Sequence, residues 1–125
     1  MDLPKNQKSF EISYLGEITG KKYEGTFTVK CVLNLAEKRK VEIERSTLSA
    51  DLNNPTDSLS AIATIVSNLR VRVVESPDWF KQSVQTLDVL DEDVLFHIFS
   101  KCMEKSDEWT SEVKKKSLGE VAAGN

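Results

Sequence analysis

The chain has 125 residues, of which 17 are basic and 20 are acidic, and its formal net charge is -3 at pH 7. This length predicts one domain that can bury its own core, and the negative charge argues against a general electrostatic hold on nucleic acid or on an anionic membrane. No apolar run approaches the roughly 20 residues of a membrane helix, and the amino terminus lacks the apolar core of a signal peptide. We therefore expect a cytoplasmic protein that binds neither nucleic acid nor membrane.

Strand patterns fill the first third of the chain. Four apolar residues alternate with polar ones at the period of a half-buried strand: Phe10, Ile12, Tyr14 and Ile18. The turn Thr19–Lys22 supplies a glycine for a positive φ, and a second strand is predicted over Tyr23–Leu35, with Phe27, Val29 and Cys31 on one face. We expect the two strands to pair antiparallel.

Two helices are predicted in the middle of the chain. Segment 36–52, AEKRKVEIERSTLSADL, is rich in helix formers, although its V-E-I-E core leaves a strand as the alternative. A turn-forming cluster at 53–57 precedes the second helix. That helix has an apolar stripe made of Leu59, Ile62, Ile65, Val66, Leu69 and Val73. A strand over Leu69–Val74 is the alternative for its last part, because R-V-R-V-V alternates and is β-branched.

A pair of aromatic residues follows the second helix. Ser76 and Pro77 are typical of a helix cap and first turn, so a short helix should carry Trp79 and Phe80. We expect Trp79 to be mostly buried. Over residues 75–93, six acidic residues and one basic residue give a local charge of -5. These acids either cap helices and solvate a loop, or they form an edge that binds a partner.

A long helix is predicted from Glu92 to Val113, with Asp91 as its cap. Its apolar face contains Leu95, Ile98, Phe99, Cys102, Met103, Trp109 and Val113. The lysines at 114–116 suit the negative end of the helix dipole. We expect residues 1–116 to form a single α+β domain, in which an N-terminal antiparallel hairpin or small sheet packs against a helical C-terminal half. Residues 117–125 are predicted to be a mobile tail.

Residues that could carry chemistry are few. His97 is the only histidine and has no second histidine or cysteine nearby, which is typical of a satisfied or surface side chain and not of a metal ligand. Cys31 and Cys102 lie among apolar neighbours without a Cys-x-x-Cys motif, so we expect both to be reduced. The glycines form no phosphate-binding loop. The sequence therefore predicts no enzymatic activity, no cofactor and no metal.

Three motifs, in their order and spacing, resemble the tail assembly chaperones of long-tailed bacteriophages. They are the strand pair over Tyr14–Lys30, the central P-D-W-F-K-Q-S, and L-D-V-L-D-E-D-V-L leading into a terminal helix that ends near E-W. The resemblance spans roughly Phe10–Val113. Such proteins often carry two consecutive tryptophans where this chain has Trp79 and Phe80, which still keeps an aromatic pair.

The resemblance implies a protein of the host cytoplasm that binds the tape measure protein and keeps it soluble until the tail tube assembles. Such a protein self-associates, needs no cofactor and is absent from the mature virion. The resemblance also implies a longer frameshifted product, for which Lys114–Lys116 is a candidate slippery site because a run of adenines can encode it. The side chains that we expect to contact partners are Trp79, Phe80, Leu95, Phe99, Met103 and Trp109.

Two other function classes stay open. The chain can be a structural tail subunit, whose β-rich first third would add strands to neighbouring copies. It can also be an adaptor or inhibitor of a host protein, for which the acidic stretch 75–93 would attract a basic partner.

Overall fold

The computed structural model describes residues 3–49 and 57–123, without the side chains of residues 57, 58 and 119–123. The elements in chain order are β1 (Lys8–Leu15), β2 (Lys22–Val29), α1 (Leu35–Ser49), α2 (Asp57–Arg72), β3 (Val73–Glu75), α3 (Asp78–Thr86) and α4 (Glu92–Ala123). The three strands form one antiparallel sheet in the order β1-β2-β3. The predicted α+β fold is thus confirmed.

The hairpin has the predicted pairing, with Phe10 of β1 opposite Phe27 of β2. Gly20 in the connecting turn has a φ of 73°, the left-handed conformation that favours glycine. The prediction that β1 includes Ile18 was wrong. Ile18 lies beyond the end of the strand and is 72% exposed. The alternation of apolar residues was broken at Leu15 and Gly16, and the strand ends there.

The second strand ends at Val29 and not at Leu35, because the chain turns there towards α1. Asn34 precedes this helix and its side-chain Oδ1 accepts a hydrogen bond from the Glu37 backbone N–H at 2.8 Å. The Glu37 carboxylate accepts one in return from the Asn34 backbone N–H at 3.0 Å. This reciprocal capping starts the helix. Cys31 is buried although it lies outside the strand. Its apolar side chain continued the alternating pattern, so the predicted strand was too long.

Helix α1 confirms the helix prediction for segment 36–52 over its strand alternative, as far as the described residues reach. None of its residues is buried, although Leu48 packs against the core. The helix lies along α2, to which it is joined by an ion pair between Glu44 and Arg70 at 2.8 Å. It is therefore a peripheral helix.

The helix and the strand that were predicted as alternatives for Leu69–Val74 are each partly correct. Helix α2 begins at Asp57 and continues to Arg72, and the strand β3 then begins at once with Val73. The rest of the predicted turn at 53–57 lies outside the described residues. Val73 pairs with Val29 of β2, which makes β3 an edge strand of the sheet.

Helix α3 carries the aromatic pair as predicted, but its cap differs. Pro77 and not Ser76 occupies the N-cap, and no side chain caps the helix. Trp79 is mostly buried, as predicted, although less completely than Phe80, which is 2% exposed. The indole ring lies edge-on to Tyr23 and Phe27. Its Nε1 donates a hydrogen bond to the backbone carbonyl of Glu24 at 2.9 Å, so the ring covers the sheet with one side towards solvent.

Helix α4 continues to Ala123, well beyond the predicted end at Val113. The lysines at 114–116 are therefore not in its last turn, and the dipole does not explain them. The predicted mobility of residues 117–125 stays a prediction. No helix within the described residues is long and apolar enough to cross a membrane.

The core lies between one face of the sheet and the helices. Its fully buried side chains include Phe27, Val29, Val66, Leu69 and Ile98. The opposite face of the hairpin is polar, as in the cross-strand hydrogen bond between the hydroxyls of Ser9 and Thr28 at 2.9 Å. The sheet therefore has one face in the core and one in solvent, with β1 and β3 as its edges.

Candidate functional site

Asp91 joins the start of α4 to the hairpin turn and is completely buried. Its Oδ1 accepts hydrogen bonds from the backbone N–H groups of Ile18 at 2.8 Å and Thr19 at 3.0 Å. Its Oδ2 accepts from the Thr19 hydroxyl and from the Tyr23 hydroxyl, the latter at 2.8 Å. We call this set of contacts the Asp91 latch. Asp91 lies directly before α4 as predicted, but its side chain does not cap this helix. Its carboxylate accepts hydrogen bonds from the hairpin instead.

The latch shapes both the backbone and the charges around it. A Cβ on Gly16 would lie 2.2 Å from Cγ of Asp91, so only glycine fits at this position. The hydrogen bonds from Thr19 lower the pKa of Asp91 to about 2, and they outweigh the effect of burial, which raises it. Burial and the bond to Asp91 raise the pKa of Tyr23. The carboxylate is therefore ionised and fixed at neutral pH, which gives it a structural role.

The structure does not bring the six predicted partner-contacting residues together. Phe80 and Leu95 are core residues, each 2% exposed, so neither presents an exposed side chain on the surface of the domain. Phe99 and Met103 are partly buried and pack against the core. Two partly buried tryptophans remain, and they contact different parts of the chain. Trp79 bonds to Glu24, whereas the indole of Trp109 donates to the backbone carbonyl of Pro4 at 3.1 Å.

A groove of about 480 Å³ opens between β3, α2 and α3, and we call it the α3–β3 groove. Its lining includes Leu69, Val73, Val74, Phe80, Lys81 and Val84. Leu69 and Phe80 belong to the core and make a firm apolar floor. Val74 is 44% exposed and adds an apolar side chain that solvent can reach. The groove can therefore take up an apolar side chain of a partner next to the edge strand β3.

Arg70 fixes one end of this groove. Its Nε and Nη2 both donate to the backbone carbonyl of Val84, at 2.8 Å and 2.6 Å, in the last turn of α3. Its Nη1 donates to Glu44 of α1 at 2.8 Å. The guanidinium thus satisfies a carbonyl at the helix end and links three helices. Lys81 also lines the groove and is exposed, so its ammonium group is available to a partner.

The other chemistry-bearing side chains have structural surroundings. His97 stacks on Tyr14 with 4.5 Å between ring centroids. Cys31 and Cys102 are free and buried, and burial raises the pKa of the Cys102 thiol to about 12. Within residues 3–49 and 57–123, no group of His, Cys, Asp or Glu is arranged to hold a metal ion.

Sequence reasoning missed the groove residues Val74 and Lys81. The alternation in R-V-R-V-V did indicate a strand, but the sequence contains no signal that this strand lies at the sheet edge beside α3. The sequence predicted Phe80 as a partner contact because of its position in the aromatic pair. Phe80 does line the groove, although as part of its buried floor.

Compared with protein-family models, with curated proteins and with solved structures, the chain matches none.

Proposed function

We propose that this chain is a tail assembly chaperone of a long-tailed bacteriophage. It binds the tape measure protein in the host cytoplasm and keeps it soluble until the tail tube assembles, and it is absent from the mature virion. The motif order over Phe10–Val113 supports the phage part of the proposal. Reversible binding of this kind needs no catalytic residue and no cofactor.

The α3–β3 groove is the observation that carries the binding part of the proposal. A tape measure protein is very long and largely helical, and its apolar stripes aggregate when they are unpaired. A partner that prevents this must offer apolar grooves that bind many similar segments reversibly. The groove has an apolar floor, the exposed Val74 and a nearby cation in Lys81. It fits one apolar side chain of a helix that also presents an acidic residue.

The arrangement of the acidic stretch speaks against the adaptor alternative. Asp91 is buried in the latch, and Asp93 accepts a hydrogen bond from the backbone N–H of Glu17 at 3.0 Å. Both carboxylates are thus bound to the hairpin turn. Less of the local charge is left for a basic partner than the sequence suggested.

Co-expression tests the proposed function. We expect the tape measure protein of the same phage to move from the insoluble to the soluble fraction when this chain is co-expressed, and the two proteins to elute together. The physical reason is that the bound apolar stripes are then withheld from aggregation. The readouts are the soluble fraction on gels and size-exclusion chromatography of the complex.

Two results would contradict the chaperone. In the first, the tape measure protein stays insoluble at equal or higher levels of this chain. In the second, mass spectrometry finds the chain in purified particles in amounts comparable to tail proteins, which would favour the structural subunit.

A further inference from the structure

Helix α1 presents an outward face that combines apolar and basic side chains. Leu35 is 83% exposed and Ile43 is 53% exposed, and Arg39, which is also exposed, lies between them. Each successive pair is four residues apart, and residues at this spacing are neighbours on a helix surface. The exposed Lys38 flanks Arg39. We call Leu35, Lys38, Arg39 and Ile43 the α1 face.

The carboxylates of α1 are paired, whereas the cations of the α1 face are not. Each glutamate of this helix forms an ion pair: Glu37 with Lys30, Glu42 with Arg45, and Glu44 with Arg70. Lys40 lines a pocket with Glu37 and Glu44, so its charge is balanced within the helix. Lys38 and Arg39 take part in none of the ion pairs that the described residues form. Lys38 also lies in the first turn, where the helix dipole favours acidic side chains, so the dipole does not account for it.

The apolar residues of the α1 face indicate which kind of partner fits. Binding to a nucleic acid backbone depends on cations and gains little from the exposed Leu35 and Ile43. A helix that presents two apolar side chains at the same spacing can cover both residues, which are about 12 Å apart along the axis of α1, and remove their area from water. Carboxylates on the turn between those side chains then meet Lys38 and Arg39. The guanidinium of an arginine can bind a carboxylate through two parallel hydrogen bonds.

We propose that the α1 face binds an acidic amphipathic helix of another protein. Leu35 and Ile43 pack against apolar side chains of that helix, and Lys38 and Arg39 bind its carboxylates. None of these four residues lines the α3–β3 groove, so this is a second interaction surface. It rests on α1 alone and is independent of the proposed function. Because no residue of α1 is buried, these side chains can be exchanged without opening the core.

Synthetic helical peptides test this docking on the whole chain. The acidic peptide carries leucines at the spacing of Leu35 and Ile43 and glutamates on the turn between them, and the matched neutral peptide has glutamine in place of each glutamate. At low salt the acidic peptide should bind at least about fivefold more tightly than the neutral one, because only its carboxylates are attracted to Lys38 and Arg39. Fluorescence anisotropy measures the affinities. Chemical shifts of the backbone amides of the labelled chain should change at the α1 face.

Three variants connect the binding to particular side chains. Lys38→Glu with Arg39→Glu should weaken binding of the acidic peptide at least about tenfold, because like charges then face each other. Leu35→Ser with Ile43→Ser should weaken both peptides, because the apolar contact is lost. The control, Lys114→Glu with Lys115→Glu, makes the same charge change at exposed adjacent residues of α4 and should bind like the wild type. Thermal melting verifies that each variant is folded.

Four results would overturn the proposal. The first is that the acidic peptide does not bind or shifts amides outside α1, and the second is that the neutral peptide binds equally well. The third is that the folded control variant loses as much affinity as the Lys38 and Arg39 variant. The fourth is that a single-stranded RNA binds more tightly than the acidic peptide and is unaffected by Leu35→Ser with Ile43→Ser, which would make the α1 face a nucleic acid surface.

Discussion

Asp91→Ala is expected to lower the melting temperature by on the order of 10 °C, because it leaves several donors of the latch, including the buried Tyr23 hydroxyl, without an acceptor. These are the backbone N–H groups of Ile18 and Thr19 and the hydroxyl of Tyr23. The hairpin turn would also lose its attachment to α4. Circular dichroism melting of the variant and the wild type measures the difference. An unchanged melting temperature would mean that the latch does not hold the two halves together.

Asp91→Asn is the matched variant, and it connects the latch to pH. The amide oxygen can still accept both backbone bonds, so we expect a smaller loss than with alanine. The folded-state pKa of Asp91 is about 2, below its ordinary value of 3.8. A lowered pKa contributes stability that is fully present above pH 4 and is lost as the pH falls towards 2. Asp91→Asn should lack this part of the acid dependence, and an unchanged acid profile would contradict the assignment.

Phe80→Ala should decrease the free energy of unfolding by about 3–5 kcal/mol, because it opens a cavity in the core. The ring is 2% exposed and lies edge-on to Phe27 with 5.1 Å between centroids. Trp79→Ala should cost less, because Trp79 is less completely buried than Phe80. Chemical denaturation of both variants measures the order. A larger loss for Trp79→Ala would contradict the deeper burial of Phe80.

Local sequence patterns predicted which segments form helices and strands better than they predicted where these begin and end. The alternation around Phe10 and Phe27 placed the hairpin correctly, because one face of each strand is buried. The strand and helix patterns at Leu69–Val74 were both correct in part, since the chain changes from helix to strand after Arg72. Boundaries depend on caps and turns such as the Asn34–Glu37 pair, which periodicity does not report.

Long-range contacts explain the errors at single residues. Asp91 has the right residue type and position for a helix cap, but its partners lie some 70 residues earlier in the hairpin turn, which no local pattern contains. Long-range packing also explains why Phe80 and Leu95, which were predicted to contact partners, are buried in the core. A domain of this size needs these apolar residues for its core, so they are buried. In the α3–β3 groove, the exposed apolar side chain is that of Val74 at the sheet edge.

The affinity of groove variants for the tape measure protein tests the central claim most directly. Val74→Lys places a charge in the α3–β3 groove, whereas Leu15→Lys places the same charge on an exposed apolar residue at the end of the opposite edge strand. We predict that Val74→Lys binds soluble helical fragments of the tape measure protein about tenfold or more weakly, while Leu15→Lys binds like the wild type. Isothermal titration calorimetry measures both affinities. Equal affinity of Val74→Lys and the wild type would contradict the assignment of this groove as the binding site.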